Sequence, residues 1–478
     1  MLVIAQGEEL AASRSAVWGT GGWDPPEERE ARDWLCLGRL LGWEVELAAP
    51  EELAGAASAG LIVWTGTKPD DAAAARLRAR LETEAALLVI PEHVEPTRSF
   101  AGRRLVADDR VWTCAAAVTA SELPLAGGGR AVASLDGRPV AVVRAVGPGA
   151  VLTLGFHPSA ARDADGAFTA LLRELLVAHA PHPMPCRDWQ GTLALRMDDP
   201  GSCESAYREG WRYPKLGRRE LSVIADALRR RGGRMTAAYA PAFADDGDPQ
   251  RGTLRVGGRL VDRRAGALHR SALVRYEAAG LVWDGVEEHA ALEEQRDVLD
   301  LALHGHAHLH PDRAAWALAA DRYESERWYR DLVAHADGLP DAEHPLVLGL
   351  AALEASFGRR PSTLVCPGDA WTTDALTRAL ALGFELISSY YTALRHGDGW
   401  VWSQHVCAPY LDEPDPRWFA AGLPVVGYFH DHEPSVHGVG WLTAQLDAWE
   451  AAGATRLIAL GDLADALGAP PSRFSSRS

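Results

Sequence analysis

The chain has 478 residues, too many for one ordinary domain, so two or three domains are expected, with cores large enough to need no disulfide staples. Charged residues make up 24% and hydrophobic ones 47%, with glycine and proline dispersed, which excludes extended disorder. The 48 basic against 65 acidic residues give a net charge of −17, which argues against a broad nucleic-acid or anionic-membrane footprint.

The N-terminal stretch MLVIAQGEE has neither a basic segment nor a long apolar run, so it reads as a first strand rather than a secretion signal. No stretch approaches the roughly 18 apolar residues that a membrane span needs. Cys36, Cys114, Cys186, Cys203, Cys366 and Cys407 lie far apart without a CxxC pair, which suits reduced thiols. Together these features predict a cytoplasmic protein with neither a nucleic-acid nor a membrane partner; oligomeric state is not legible.

Short apolar runs at 2–5, 43–47, 61–64 and 86–90 are predicted strands, and 27–41 and 70–84 carry helical spacing between them. That alternation predicts βαβ units and a parallel sheet. Further strands are expected at 131–135, 140–145 and 151–156, divided by Asp136-Gly137 and Gly147-Pro148-Gly149 turns, before a helix over 164–178. Gly19-Thr20-Gly21-Gly22 lacks both GxGxxG spacing and a P-loop lysine and reads as a turn.

The proline-rich stretch at 181–190 reads as a linker, which divides the chain into units at 1–180 and 191–469, with a polar tail at 470–478. Seven apolar runs follow, at 192–197, 235–240, 301–303, 363–365, 385–389, 425–429 and 457–460, with helical segments between several of them. Strand and helix repeating in this way predict a (β/α) barrel or a large α/β sheet, whose C-terminal strand ends converge on one face. Four of those ends carry ligand-type residues: Asp198-Asp199, then His304 to His310, then His430-Asp431-His432, and Asp462. Adjacent carboxylates leaving a buried strand require a cation or a shared proton nearby. His304 and His308 have the spacing of one face of a helical turn, able to grip one ion, and so do His306 and His310. Two imidazoles, one carboxylate and an open water position make a catalytic rather than a closed structural metal site.

These residues carry a resemblance. From about Thr192 onward the chain resembles the polysaccharide-deacetylase-like (NodB homology) family: Met197-Asp198-Asp199 is similar to its first motif, His304-Gly305-His306-Ala307-His308 after Asp300 to its second, and Gly427-Tyr428-Phe429-His430 to its last. The resemblance implies a distorted (β/α) barrel of about seven strands. It also implies a divalent metal, Zn²⁺ foremost, on Asp199, His304 and His308, with Asp198 as general base and His430 as general acid. The chain departs from the family's third motif: Cys366-Pro367-Gly368-Asp369 keeps the proline but not the arginine that orients the base. Arg196, two residues before Asp198 and so on the same side of a strand, is expected to supply that charge. Pro367, Asp369 and Trp371 are the expected substrate-binding residues. Asp462 is expected either to orient His430 or to cap a helix.

The first unit resembles the glutamine-amidotransferase-like, flavodoxin-type domains, with 149–157 similar to their closing strand. It has no G-x-C-x-G nucleophile elbow, and a non-catalytic framing role is expected. Seventeen tryptophans exceed ordinary usage; Trp211, Trp283, Trp371, Trp400 and Trp402 are expected in loops, where rings stack on a sugar or heterocycle. The expectation is a metal-dependent deacetylase of a small N-acylated sugar or natural-product intermediate. Its alternatives are an inactive binding or scaffold protein and a metal-dependent ester or peptide-like amide hydrolase.

Overall fold

The computed structural model describes residues 1–6, 30–54, 59–66, 68–91, 98–156, 166–181, 184, 186–201, 213–309, 338–407 and 409–468. The Gly19-Thr20-Gly21-Gly22 turn, His157, Cys203, Trp211, His310 and the 470–478 tail lie outside the described residues.

Apolar runs without polar interruption favour strands covered on both faces, and the first half builds such strands into a nine-stranded sheet. Its strands are β1 (Leu2–Ile4), β2 (Glu46–Ala48), β3 (Leu61–Trp64), β4 (Leu87–Pro91), β5 (Ser99–Ala107), β6 (Arg110–Ser121), β7 (Arg130–Leu135), β8 (Arg138–Val146) and β9 (Gly149–Leu154), in spatial order 2-1-3-4-9-8-7-5-6. Strands 2, 1, 3, 4 and 9 are parallel, with Leu2 opposite both Glu46 and Ile62 and Leu87 opposite Ala150. The remainder is antiparallel. Helices α1 (Glu30–Leu40) and α2 (Asp71–Thr83) supply the crossovers, and α3 (Ala167–His179) follows the sheet. Asp70 caps α2 by accepting the Ala73 N–H at 2.7 Å, and Ala73, Leu77 and Leu81 at four-residue spacing form its buried stripe. The β5–β6 hairpin is an addition to the elements expected from sequence.

The second half builds another nine-stranded sheet. All seven residues of β10 (Thr192–Asp198) are buried, and β11 (Met235–Tyr239) lies beside it. Between β11 and β18 (Leu299–Leu303) the chain inserts short antiparallel strands: β12 (Ala242–Ala244), β13 (Thr253–Val256), β14 (Arg259–Val261), β15 (Leu268–Arg270), β16 (Val274–Ala278) and β17 (Leu281–Asp284). This insert has its own core around Phe243, Leu254, Tyr276 and Trp283. The main chain resumes with β19 (Thr363–Val365), β20 (Leu386–Ser388), β21 (Tyr391–His396), β22 (Gly399–Cys407), β23 (Val425–His430) and β24 (Arg456–Ile458). The helices are α4 (Arg218–Arg230), α5 (Gly285–Glu294), α6 (Pro345–Phe357), α7 (Thr373–Ala381), α8 (His432–His437), α9 (Gly440–Ala452) and α10 (Leu460–Gly468).

The order is 22-21-20-19-18-11-10-23, with β24 also paired to β10. The seven apolar runs read from sequence correspond to β10, β11, β18, β19, β20, β23 and β24, all parallel; β21 and β22 add an antiparallel edge. Just past β22 the backbone bonds to β23: the Tyr428 N–H donates to the Pro409 carbonyl at 3.2 Å and the Leu411 N–H to the Tyr428 carbonyl at 2.8 Å. The two ends of the sheet are thereby bridged. One apolar core runs through both halves, and the Trp189 indole donates to the Leu40 carbonyl of α1 at 2.7 Å across their junction. Among the described residues no helix is long and apolar enough to cross a membrane.

Candidate metal centre

Strand alternation fixes the first part of the site. Arg196 and Asp198 project to one side of β10, and Arg196 Nη2 lies 3.4 Å from Asp198 Oδ2. After Asp198 the chain reverses: Asp199 adopts φ +77°, Gly201 adopts φ +83°, and the Pro200 carbonyl accepts the Ala240 N–H at 2.9 Å. A Cβ on Gly201 would come within 2.6 Å of the Ala240 carbonyl oxygen, so the turn requires glycine there.

The histidines arrive from the end of β18. The His304 N–H donates to the Tyr239 carbonyl at 3.0 Å, continuing the sheet, after which Gly305 takes φ +64° and His308 φ +62°. Residues 306–309 are therefore bends and not the helical turn that the four-residue spacing predicts. The two imidazoles meet nevertheless, ring centroids 4.8 Å apart, because two left-handed residues fold the loop back on itself. Asp199, His304 and His308, all buried, bring one ligand atom each within 4.8 Å of one another. His306 sits half-buried in the same loop, outside that group.

The donor set fits a divalent cation. Asp199 Oδ1 is 3.3 Å from His304 Nε2 and 3.5 Å from His308 Nε2, and it receives no hydrogen bond among the described residues. His304 Nδ1 is 3.0 Å from the Val365 carbonyl; a proton on Nδ1 completes that bond and turns the Nε2 lone pair toward Asp199. A buried carboxylate oxygen facing imidazole nitrogens needs positive charge between them. Burial opposes ionisation of Asp199, but the neighbouring His304, His308 and His430 imidazoles outweigh it and hold the carboxyl far below the usual range.

Arg196 is fully buried. Its guanidinium donates to Asp369 Oδ1 at 3.0 Å and Ser388 Oγ at 3.1 Å, and it lies 4.7 Å from the Tyr428 ring centre. Burial works against its charge, yet Asp198 and Asp369 more than offset this and keep it protonated. Asp369 itself is pushed above the ordinary carboxylate value by burial and by Asp198, against Arg196.

His430 closes β23 directly opposite Asp198 in register. Its N–H donates to Glu433 Oε2 at 2.7 Å, its Nδ1 lies 3.0 Å from the Tyr410 hydroxyl, and its side chain is 27% exposed, enough to meet a ligand. Burial and the Glu433 carboxylate push the Tyr410 hydroxyl up, so it stays protonated.

Other expected residues are placed differently. Asp462 lies inside the first turn of α10, paired with Arg234, and its carboxylate accepts the Ala459 N–H at 2.9 Å. It reaches back to the residue before the helix and is not itself the N-cap, and among the described residues its hydrogen-bond and ion-pair partners do not include His430. Pro367 and Asp369 sit in the short turn Pro367–Asp369, where Asp369, at φ +59°, faces Arg196. Trp371 is 2% exposed and stacks on Trp402 with centroids 4.5 Å apart. Trp283, Trp400 and Trp402 are strand residues in the core, so these rings fill volume and do not line loops as expected.

Sequence reasoning missed Tyr410, Lys215, Tyr213 and Glu288, which become neighbours of the site only through tertiary pairing, and Glu433, whose signal was local, three residues after His430. Glu288 of α5 is buried and accepts the Gly201 N–H at 2.9 Å. Burial, with Asp431 assisting and Lys215 opposing, pushes its carboxyl from 4.5 up to about 8. The folded chain therefore holds a proton that the unfolded chain releases between those values, and stability falls as pH rises through that window. Glu288→Gln keeps the acceptor and removes the titration. Its melting temperature is expected to match wild type near pH 5 and to exceed it by a few degrees at pH 8, measured by thermal unfolding across that range; a pH-independent difference would contradict this.

Comparison with known proteins gives three results. No family model matches the chain. No curated protein matches it either. Among solved structures, the chain is similar to Agd3, described as a novel carbohydrate deacetylase, at 9% identity and a TM-score of 0.40, over 98% of this chain and 86% of that one. It is also similar to a CE4 family pseudoenzyme from Bacillus anthracis at 10% identity and a TM-score of 0.30, over 58% of this chain and 66% of that one.

Proposed function

We propose that the chain is a metal-dependent hydrolase of the deacetylase type, acting on the amide of a small N-acylated sugar or related intermediate, with Zn²⁺ on Asp199, His304 and His308. The observation that carries this reading is the convergence of those three buried donors on one point, with Asp198 and His430 paired in register beside them. Zn²⁺ bound there supplies Lewis-acid polarisation of a carbonyl and lowers the pKa of water.

The chain's own residues do the rest. Asp198, held by Arg196, accepts the proton of the attacking water as its oxygen bonds to the carbonyl carbon. His430 gives a proton to the leaving nitrogen as the carbon–nitrogen bond breaks, and the products are a carboxylic acid and an amine. Tyr410 and Glu433 fix the His430 ring and backbone. Asp369 and Ser388 act through Arg196, which supplies the positive charge of the arginine missing from the third motif. The 1–180 unit serves as a non-catalytic frame, packed on the second half through α1.

Acetate release from N-acetylated amino sugars by the full chain tests the proposal. Turnover is expected with Zn²⁺, to be lost on chelation and restored on adding Zn²⁺ back. Equal Zn²⁺ binding by wild type and Asp199→Ala, with no acyl release, would sink it and leave the scaffold alternative.

A further inference from the structure

Next to the Asp198-Asp199 turn lies a buried cation that no motif announces. The Lys215 side chain is 4% exposed. Its ammonium donates to the Asp199 carbonyl at 3.0 Å and the Tyr213 hydroxyl at 3.0 Å, and forms an ion pair with Asp431 Oδ2 at 3.0 Å. The Tyr213 hydroxyl donates in turn to Asp431 Oδ1 at 2.7 Å, and the Asp431 N–H donates to the Asp198 carbonyl at 3.0 Å. One ion pair therefore holds both backbone carbonyls of the turn, that of Asp199 through Lys215 and that of Asp198 through Asp431.

The conformation held this way is a costly one. A non-glycine residue at φ +77° persists only where its surroundings over-determine it. Relaxation of Asp199 to negative φ would swing its carboxylate away from His304 and His308. A buried ion pair is weak evidence of added stability but can fix a conformation.

We propose that Lys215 is a positioning residue: through its bonds to the Asp199 carbonyl and Asp431, it keeps the Asp199 peptide left-handed and its carboxylate aimed at the divalent-cation site. The inference rests on the metal-site reading above.

Co²⁺ titration of the metal-free full chain, followed by visible absorption, separates the two ideas. Lys215→Met alone leaves Asp431 without its cation, so the decisive variant is the double Lys215→Met, Asp431→Asn, which carries no unpaired charge and keeps the Tyr213 acceptor. Wild type is expected to bind Co²⁺ and Asp199→Ala to fail. The double variant is expected to unfold cooperatively yet bind Co²⁺ about 10–100-fold more weakly, with altered band intensities. If Asp199→Ala loses Co²⁺ while the double variant keeps wild-type affinity and spectrum, the Lys215 assignment is overturned and the metal site stands. If wild type and Asp199→Ala bind equally, the metal reading falls and takes the Lys215 assignment with it.

Discussion

Asp198→Asn is expected to lower kcat by about 10²–10⁴-fold, the range for removing a positioned general base, with Zn²⁺ affinity close to wild type. The geometry separates the two neighbouring carboxylates. Asp199 Oδ1 faces the imidazoles, whereas Asp198 faces Arg196 through Oδ2, and its Oδ1 receives no hydrogen bond among the described residues. Asparagine preserves shape and an acceptor for Arg196 but cannot take a proton from water. Asp199→Asn should behave oppositely, with metal lost first and activity following. Parallel measurement of bound Zn²⁺ and of kcat for both variants checks the division; an Asp198→Asn enzyme within tenfold of wild type, or one that has lost its metal, would overturn the base assignment.

What the sequence reveals follows the range of the interactions involved. Parallel strands buried on both faces announce themselves as apolar runs, which is why β10, with Leu193, Ala194 and Leu195, and the other parallel strands of its sheet stand out. The period of two along a strand likewise suffices to place Arg196 beside Asp198. The β5–β6 hairpin is obscured because small and polar residues separate its large apolar ones, Phe100, Leu105, Val106, Val111, Trp112 and Val118, and break the period of two. The insert between β11 and β18 is masked by its own small core: Trp283 stacks on Phe243 there, so an aromatic residue in a polar neighbourhood reads as a loop ligand when it is a core ring. His304 and His308 were legible as a pair but not in conformation, since two left-handed residues, not a helical turn, bring them together. Lys215 and Asp431 are 216 positions apart in the chain by number, and neither has a local signal; only the reversal after Asp199 and the end of β23 make them neighbours.

Arg196→Met carries the largest expected stability effect. The guanidinium is fully buried and is the cation nearest to Asp198 and Asp369, so its removal strands two buried carboxylates and should cost about 3–5 kcal/mol. The pH dependence has a definite sign. Asp369 is already raised by burial, and Arg196 is the group that opposes this. Without it the folded-state value rises further above the unfolded one, so the folded variant takes up protons that the unfolded chain lacks, and its stability is greatest at low pH and lost as pH rises. The melting-temperature deficit against wild type should therefore be smaller at pH 5 than at pH 8. Arg196→Lys is expected to recover part of the stability but little of the turnover, because a single ammonium cannot reach Asp198, Asp369 and Ser388 in the geometry of the planar fork. Thermal unfolding at the two pH values, with kcat for both variants, tests this. A deficit equal at pH 5 and pH 8 would show that Arg196 acts by filling space, and full turnover in Arg196→Lys would show that charge alone, without the fork, holds the base.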